Sequence, residues 1–317
     1  MIEENINQLR PTSLKDYIGQ EEVKKQIQVF IEACRKRNQP LDHTLLSGPP
    51  GVGKTTLASL IATELGSNIT ITTGSILNKK SDIAGILSSL NEGDILFIDE
   101  IHRMNKAVEE ILYPAMEDFK LDILVGKGKS ARSIRISLPR FTLIGATTKT
   151  GMLSSPLLSR FGIVLHFDFY DEKSLSKIVK NTAKRLNIGI TEEACLEIAK
   201  RSRGTPRIAN NILKRVYDYT VVHGKTEIDL DLALQALNFL GIDEFGLNQK
   251  DIFYLKTIIE KFENKPVGIK TISSAINEEI DIIEEIIEPY LIRIGFLKKT
   301  PRGRVATEKA LKHLAII

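Results

Sequence analysis

Between residues 44 and 167, short β-rich runs alternate with stretches of helical period. The order is TLLSG, a helix from Lys54, NITITT, a helix around 82–90, DILFID, a helix from Lys106, FTLIGATT and IVLHFDF. That alternation predicts a parallel sheet flanked by helices. One interruption breaks it: LDILVG and SIRISL are joined by the Gly/Lys/Ser-rich residues 126–131, which predicts an extended β-hairpin inserted between helix and strand. The segment 122–138 is too long for a routine connection, so a function is expected of it. Its tip is basic (Lys127, Lys129, Arg132), and Ile123, Val125, Ile134 and Ile136 alternate along its arms, where one face could meet a partner.

From 171 to 240 the strand signals vanish and helical patterns follow one another. Thr191 and Thr205 are candidate N-caps, and Gly189, Gly204 and Gly224 are breakers. After Gly241 come helical stretches at about 248–261, 268–276 and 279–293, then GFLKKTPRGRVAT, a hairpin signal with 301–304 at its turn. Three helices and a hairpin predict a winged helix. The expected domains are 1–168, an α/β nucleotide-binding core; 169–241, a small helical lid; and 242–317, the winged helix.

Composition narrows this little. A chain of 317 residues suits two or three cores, and 42% hydrophobic with 26% charged residues is globular. Forty-four basic against 40 acidic side chains is too small an excess to argue nucleic-acid binding, so any basic surface must be local. Cys34 and Cys195 match no metal-ligand spacing and read as reduced interior thiols. The N-terminal stretch lacks a signal-peptide pattern and no apolar run approaches a membrane span, so a soluble cytoplasmic protein is expected.

The candidate chemistry begins at GPPGVGKT, residues 48–55, which fits G-x-x-x-x-G-K-S/T between a strand and a helix. Its glycines let backbone N–H groups curl around phosphates. Lys54 brings positive charge to the β and γ oxygens, and the Thr55 hydroxyl can ligate Mg²⁺. A glycine-rich turn without ligand is the bland alternative. DILFIDE (94–100) supplies the complement, an apolar strand ending in two carboxylates at the sheet edge where ligands bind. There Asp99 would hold the Mg²⁺ shell and Glu100 would orient the attacking water, unless both merely cap the next helix. Thr147 and Thr148 end FTLIGATT, where a hydroxyl could touch the γ-phosphate or the water. Arg160 in SPLLSRFG and Arg207 in RGTPR are candidates for stabilising transition-state charge.

With these residues in hand, the chain resembles the RuvB family, the bacterial Holliday-junction branch-migration motors within the AAA+ ATPases. The likeness covers nearly the whole chain. It rests on LRP (9–11), DYIGQ (16–20), LLSGPPGVGKTTLA, LFIDEIHR, EDF (117–119), FTLIGATT, SSPLLSRFGI, KRSRGTPRIAN and TPRGRVATEKA. Val52 stands where leucine is more usual, and 178–187 and the helices between 255 and 290 match only loosely.

The resemblance implies ATP and Mg²⁺ as cofactors. Leu9, Arg10, Tyr17 and Ile18 would enclose the adenine and Tyr170 would line the nucleotide. Gly51, Val52, Gly53, Lys54, Thr55 and Thr56 would hold phosphates and magnesium, and Glu117, Asp118 and Phe119 join the nucleotide-binding set. Thr148 becomes the sensor at the strand end, Arg207 the sensor of the lid, and Arg160 a finger reaching the neighbouring subunit's ATP. The implied partners are duplex arms of a Holliday junction, identical subunits in a hexameric ring, a RuvA-type junction-binding protein gripping the inserted hairpin, and a junction-resolving nuclease.

The winged-helix region holds 12 basic and 12 acidic residues after 242, yet they are segregated: acidic side chains crowd 278–288, basic ones crowd 293–312. A basic hairpin tip without aromatic residues argues for phosphate contact through Lys299, Arg302 and Arg304, independent of base sequence. The competing readings are a clamp loader or replication initiator, and a DNA-binding regulator that is switched by ATP without turning it over. Glu100 beside Asp99 argues against the last.

Overall fold

The structure, a computed structural model, describes residues 10–125 and 132–314. Leu9, Lys127 and Lys129 lie outside the described residues. The chain separates into two compact units: residues 1–174 with Thr205–Arg207, and Leu175–Gly204 with Ile208–Ile317.

The first unit is built on a five-stranded sheet of β1 (Thr44–Ser47), β2 (Ile69–Thr73), β3 (Ile95–Asp99), β6 (Thr142–Thr147) and β7 (Ile163–His166), in the order β2-β3-β6-β1-β7. Every pairing in it is parallel. All residues of β1 and β6 are buried, as an apolar strand covered by helices on both faces must be. Helices α1 (Glu21–Arg37), α2 (Lys54–Leu65), α3 (Lys80–Ser88) and α4 (Lys106–Glu117) connect or flank the strands. One core joins Leu45, Leu96, Ile98 and Leu143 of the sheet to Ile83, Leu87, Val108 and Leu112 of the helices.

Between α4 and β6 stands the expected hairpin, β4 (Lys120–Val125) paired antiparallel with β5 (Arg132–Ser137). Ile134 and Ile136 are exposed on it, and Arg135 reaches across to Asp122 at 2.8 Å. The short helix α5 (Ser155–Leu158), capped by Ser154, carries the chain from β6 to β7.

The helical lid, α6 (Glu172–Arg185), α7 (Glu192–Lys200), α8 (Pro206–Val222) and α9 (Leu230–Phe239), lies in the second unit except for the first residues of α6 and α8. Thr191 caps α7 as expected, and Asp229 caps α9. The expectation of a strand-free region needs one amendment, because β8 (Gly189–Ile190) and β9 (Glu227–Ile228) pair briefly in parallel.

The winged helix follows as α10 (Gln249–Lys256), α11 (Ile269–Ile276) and a bent helix made of α12 (Ile280–Ile282), a π turn Ile283–Ile287 and α13 (Glu288–Arg293). The wing is β10 (Leu297–Thr300) against β11 (Gly303–Ala306), and α14 (Glu308–His313) closes the domain. Here the structure corrects the placement of 301–304 in the turn. Gly303 already pairs with Thr300, and Arg304 bridges Val267 on its other side, so the turn is confined to Pro301 and Arg302.

Within this unit the lid is tied to the winged helix by two buried arginines. Arg201 donates to the Ile242 carbonyl at 2.9 Å. Arg203 donates to the Gly246 carbonyl at 2.8 Å, pairs with the buried Asp251, and lies over the Tyr290 ring.

Candidate active site

The loop between β1 and α2 brings the phosphate-binding motif to the C-terminal edge of the sheet. Gly53 sits at φ 101°, and a Cβ there would come within 2.7 Å of the Tyr17 hydroxyl, so only glycine fits. Lys54 opens α2 and folds its ammonium back onto the loop, donating to the carbonyls of Gly48 at 2.8 Å and Pro49 at 2.7 Å. Burial pushes its pKa down to about 8; Asp99 and Glu100 oppose that shift and Arg207 reinforces it.

Strand β6 separates β1 from β3, and across it Thr55 reaches the carboxylate predicted from DILFIDE. Its hydroxyl donates to Asp99 Oδ2 at 3.1 Å, while Asp99 Oδ1 accepts from the Glu100 N–H at 2.9 Å. Glu100 occupies the left-handed region at φ 47°, and its carboxylate meets Arg103 Nε at 3.2 Å. A non-glycine residue in that conformation costs about 1 kcal/mol or more and persists where the surroundings enforce it.

The two threonines closing β6 separate into different roles. Thr147 is buried: its hydroxyl shares a 3.0 Å hydrogen bond with His102 Nδ1 and accepts the Lys149 N–H at 3.0 Å. Thr148 is exposed. His102 was not among the residues picked out by sequence, although its place two positions after Glu100 was the available signal.

Tyr17 and Tyr170 are both buried, with the Tyr170 hydroxyl donating to Tyr17 at 3.3 Å and Tyr17 to the Val52 carbonyl at 3.4 Å. Burial raises both phenols, that of Tyr170 to about 12. Arg10 and Ile18 lie half-buried in the same N-terminal stretch. Val52 is wholly buried. Arg207 is exposed, its N–H donates to the Gly51 carbonyl at 3.3 Å, and a Cβ on Gly51 would stand 3.1 Å from that of Arg207. Thus the structure gathers Gly51, Val52, Gly53, Lys54, Thr55, Asp99, Glu100, Tyr17 and Arg207 around one loop.

Other expected residues have their contacts elsewhere. Arg160 pairs with Glu117 at 2.7 Å, donates to the Pro156 carbonyl at 2.7 Å and lies 4.7 Å from the Tyr113 ring centroid. Asp118 is exposed, and Phe119 packs edge-on against Phe141.

The wing departs further from expectation. Arg304 does not project from the hairpin: its guanidinium pairs with Glu288 at 2.7 Å and Glu284 at 3.2 Å, and Lys299 pairs with Glu288 at 2.7 Å. Glu288 is fully buried, and a buried carboxylate demands cationic partners. Arg302, at the turn, is exposed.

A phosphate loop on a parallel sheet, a carboxylate-ended neighbouring strand, a helical lid and a winged helix define a P-loop ATPase of the AAA+ class. The family comparisons narrow it. Residues 9–167 match the Holliday junction DNA helicase RuvB P-loop domain, 170–243 the RuvB AAA lid domain, and 244–315 the RuvB C-terminal winged helix domain. The chain belongs to the RuvB family of Holliday-junction DNA helicases and is an AAA+ ATP hydrolase.

Among solved structures it is similar to Thermotoga maritima RuvB, described as a Holliday junction branch migration motor. Identity is 50%, covering 97% of this chain and 98% of that one, with a TM-score of 0.88. Two variants of the same Thermotoga maritima protein superpose with TM-scores of 0.89, at 50% and 51% identity, covering 97% and 96% of this chain and 98% of each of theirs. Among the described residues no helix is long and apolar enough to cross a membrane.

Proposed function

We propose that the chain forms a homohexameric ring on duplex DNA and, with a RuvA-type partner at the junction, converts ATP hydrolysis into branch migration. The observation that carries the chemistry is the meeting of the Thr55 hydroxyl and the Asp99 carboxylate at 3.1 Å beside Lys54. One hydroxyl and one carboxylate would hold Mg²⁺, a hard cation that takes oxygen ligands. When bound, the ion would neutralise charge on the transferred phosphate.

The protein's own groups do the rest. Lys54 leaves the Gly48 and Pro49 carbonyls to bind phosphate oxygens, and Glu100 leaves Arg103 to accept a hydrogen bond from the attacking water. Thr148 and Arg207 hold the γ-phosphate from the strand end and the lid. The adenine rests against Tyr17, Ile18 and Tyr170.

Arg160 acts on the neighbouring subunit's ATP. Two observations support this: its contacts are with Glu117, Pro156 and Tyr113, not with its own phosphate loop, and its Nε is buried without a hydrogen-bond partner among the described residues. The hairpin's exposed Ile134 and Ile136 suit the junction-binding partner, and Arg302 suits phosphate contact on the wing.

An ATP-driven branch-migration assay on a synthetic four-way junction, with and without the partner, tests the proposal. Strand exchange should require hydrolysable ATP and rise with the partner. Hydrolysis without strand exchange would overturn it, as would duplex binding restricted to one base sequence.

A further inference from the structure

Glu100 stands in a conformation that needs enforcement, and the turn it opens shows what could enforce it. The turn Ile101–Arg103 is closed by the Arg103 N–H on the Glu100 carbonyl at 2.8 Å. Gly74 presses on that same carbonyl, so closely that a Cβ would come within 2.4 Å of it. On the other side, the half-buried His102 ring reaches Thr147 at 3.0 Å. Thr147 is itself fixed: it lies opposite Ser47 in the parallel ladder, its carbonyl accepts the Gly48 N–H at 3.2 Å, and its hydroxyl accepts the Lys149 N–H. One residue thereby fastens the start of the phosphate loop, the segment carrying Thr148, and, through His102, the turn carrying Glu100.

We propose that Thr147 and His102 are positioning residues for hydrolysis, a brace that sets where the Glu100 carboxylate stands relative to the phosphate loop. Neither needs to touch nucleotide. The role follows from the sheet: β6 lies between β1 and β3, so a hydroxyl at its end stands between the loop after one and the turn after the other. Losing the brace leaves the ladder and the phosphate cradle intact and lets the turn relax. A misplacement of about 1 Å at a reacting group can cost about a hundredfold in rate without weakening substrate binding. The proposal rests on the reading of Glu100 as the water-orienting carboxylate.

The test is steady-state hydrolysis together with nucleotide affinity for Thr147→Val, Thr147→Ser, His102→Ala, His102→Asn and the Val/Ala double variant, with Glu100→Gln alongside. Valine keeps the shape of threonine without its hydroxyl, and asparagine can present a polar group where Nδ1 lies. Thr147→Val and His102→Ala should each lower kcat by between about tenfold and a hundredfold while nucleotide affinity stays within about twofold. Serine and asparagine should restore most of the loss, and the double variant should fall well short of the product of the two single losses, because the contact they share can be lost only once. Losses that multiply, affinity that falls in step with kcat, or an unchanged kcat would overturn the brace. If Thr147→Val does not fold, the His102 pair decides alone, since that ring is only half-buried. Rapid hydrolysis by Glu100→Gln would instead overturn the reading of Glu100, a separate result.

Discussion

Glu288 lies wholly out of water, and Arg304 on the wing closes on it through Nε at 2.7 Å. Lys299 and the Tyr254 hydroxyl complete the shell, each at 2.7 Å. Removing one partner of a buried ion pair is far costlier than removing an exposed charge, typically about 3–5 kcal/mol. Arg304→Ala should therefore lower the thermal stability of the winged helix by an amount near that range, softened by the partners that remain. Arg302→Ala should leave stability unchanged and flatten the salt dependence of duplex binding by about one log-log unit, equally on unrelated sequences. Calorimetry and salt-titrated binding separate the two; a stable Arg304→Ala with a flattened slope would return that residue to the DNA surface.

Acid should expose the same cluster. Burial alone raises the Glu288 carboxyl, but the hydrogen bonds from Arg304, Lys299 and Tyr254 outweigh it and hold the group below its ordinary value. A lowered carboxyl stabilises the fold fully above its unfolded pKa of about 4.3 and loses that contribution as pH falls through the lower folded value. The stability advantage of the wild type over Glu288→Gln should thus be level near neutral pH and shrink only below about pH 4.3. Melting curves across that window check it, and an advantage that grows with acid would reverse the sign.

The ion pair that holds Arg160 is cheap to break. Its partner Glu117 is mostly exposed, and such a pair is worth about 1 kcal/mol at most. An arginine against a neighbour's γ-phosphate can be worth about a thousandfold or more in rate. In mixtures, Arg160→Ala subunits should bind ATP nearly normally yet depress wild-type turnover more than dilution does. Activity strictly proportional to the wild-type fraction would show that each subunit works alone.

Ile134 is about half exposed on the hairpin. Ile134→Asp should abolish partner-stimulated branch migration and leave basal ATP hydrolysis unchanged. Unaltered stimulation would place the partner elsewhere.

Much of this was legible in sequence because phosphate chemistry fixes residue types at fixed spacing. Lys54 and Thr55 can lie nowhere but at the start of a helix, and Asp99 only at the end of an apolar strand. What escaped was which of several similar groups is committed to the protein itself. Thr147 and Thr148 are adjacent, and their burial, together with His102 brought in by a turn after a different strand, tells them apart. Arg304 read as a projecting charge because Glu288 is sixteen residues away on a bent helix, and burial of that carboxylate is set by packing that no local pattern encodes.

Thr205–Arg207 belong to the first unit while their neighbours on both sides belong to the second, which has a bearing on inheritance. The chain changes unit after Ser174, after Gly204 and after Arg207, so no single break yields two whole parts. A gene cut after residue 174 would encode a nucleotide-binding unit stripped of the residue that hydrogen-bonds Gly51. Exchange between relatives at one crossover point between Gly51 and Arg207 would pair a phosphate loop with another lineage's arginine. A break before the winged helix keeps Arg207 with the phosphate loop and parts Arg203 from its buried Asp251 instead.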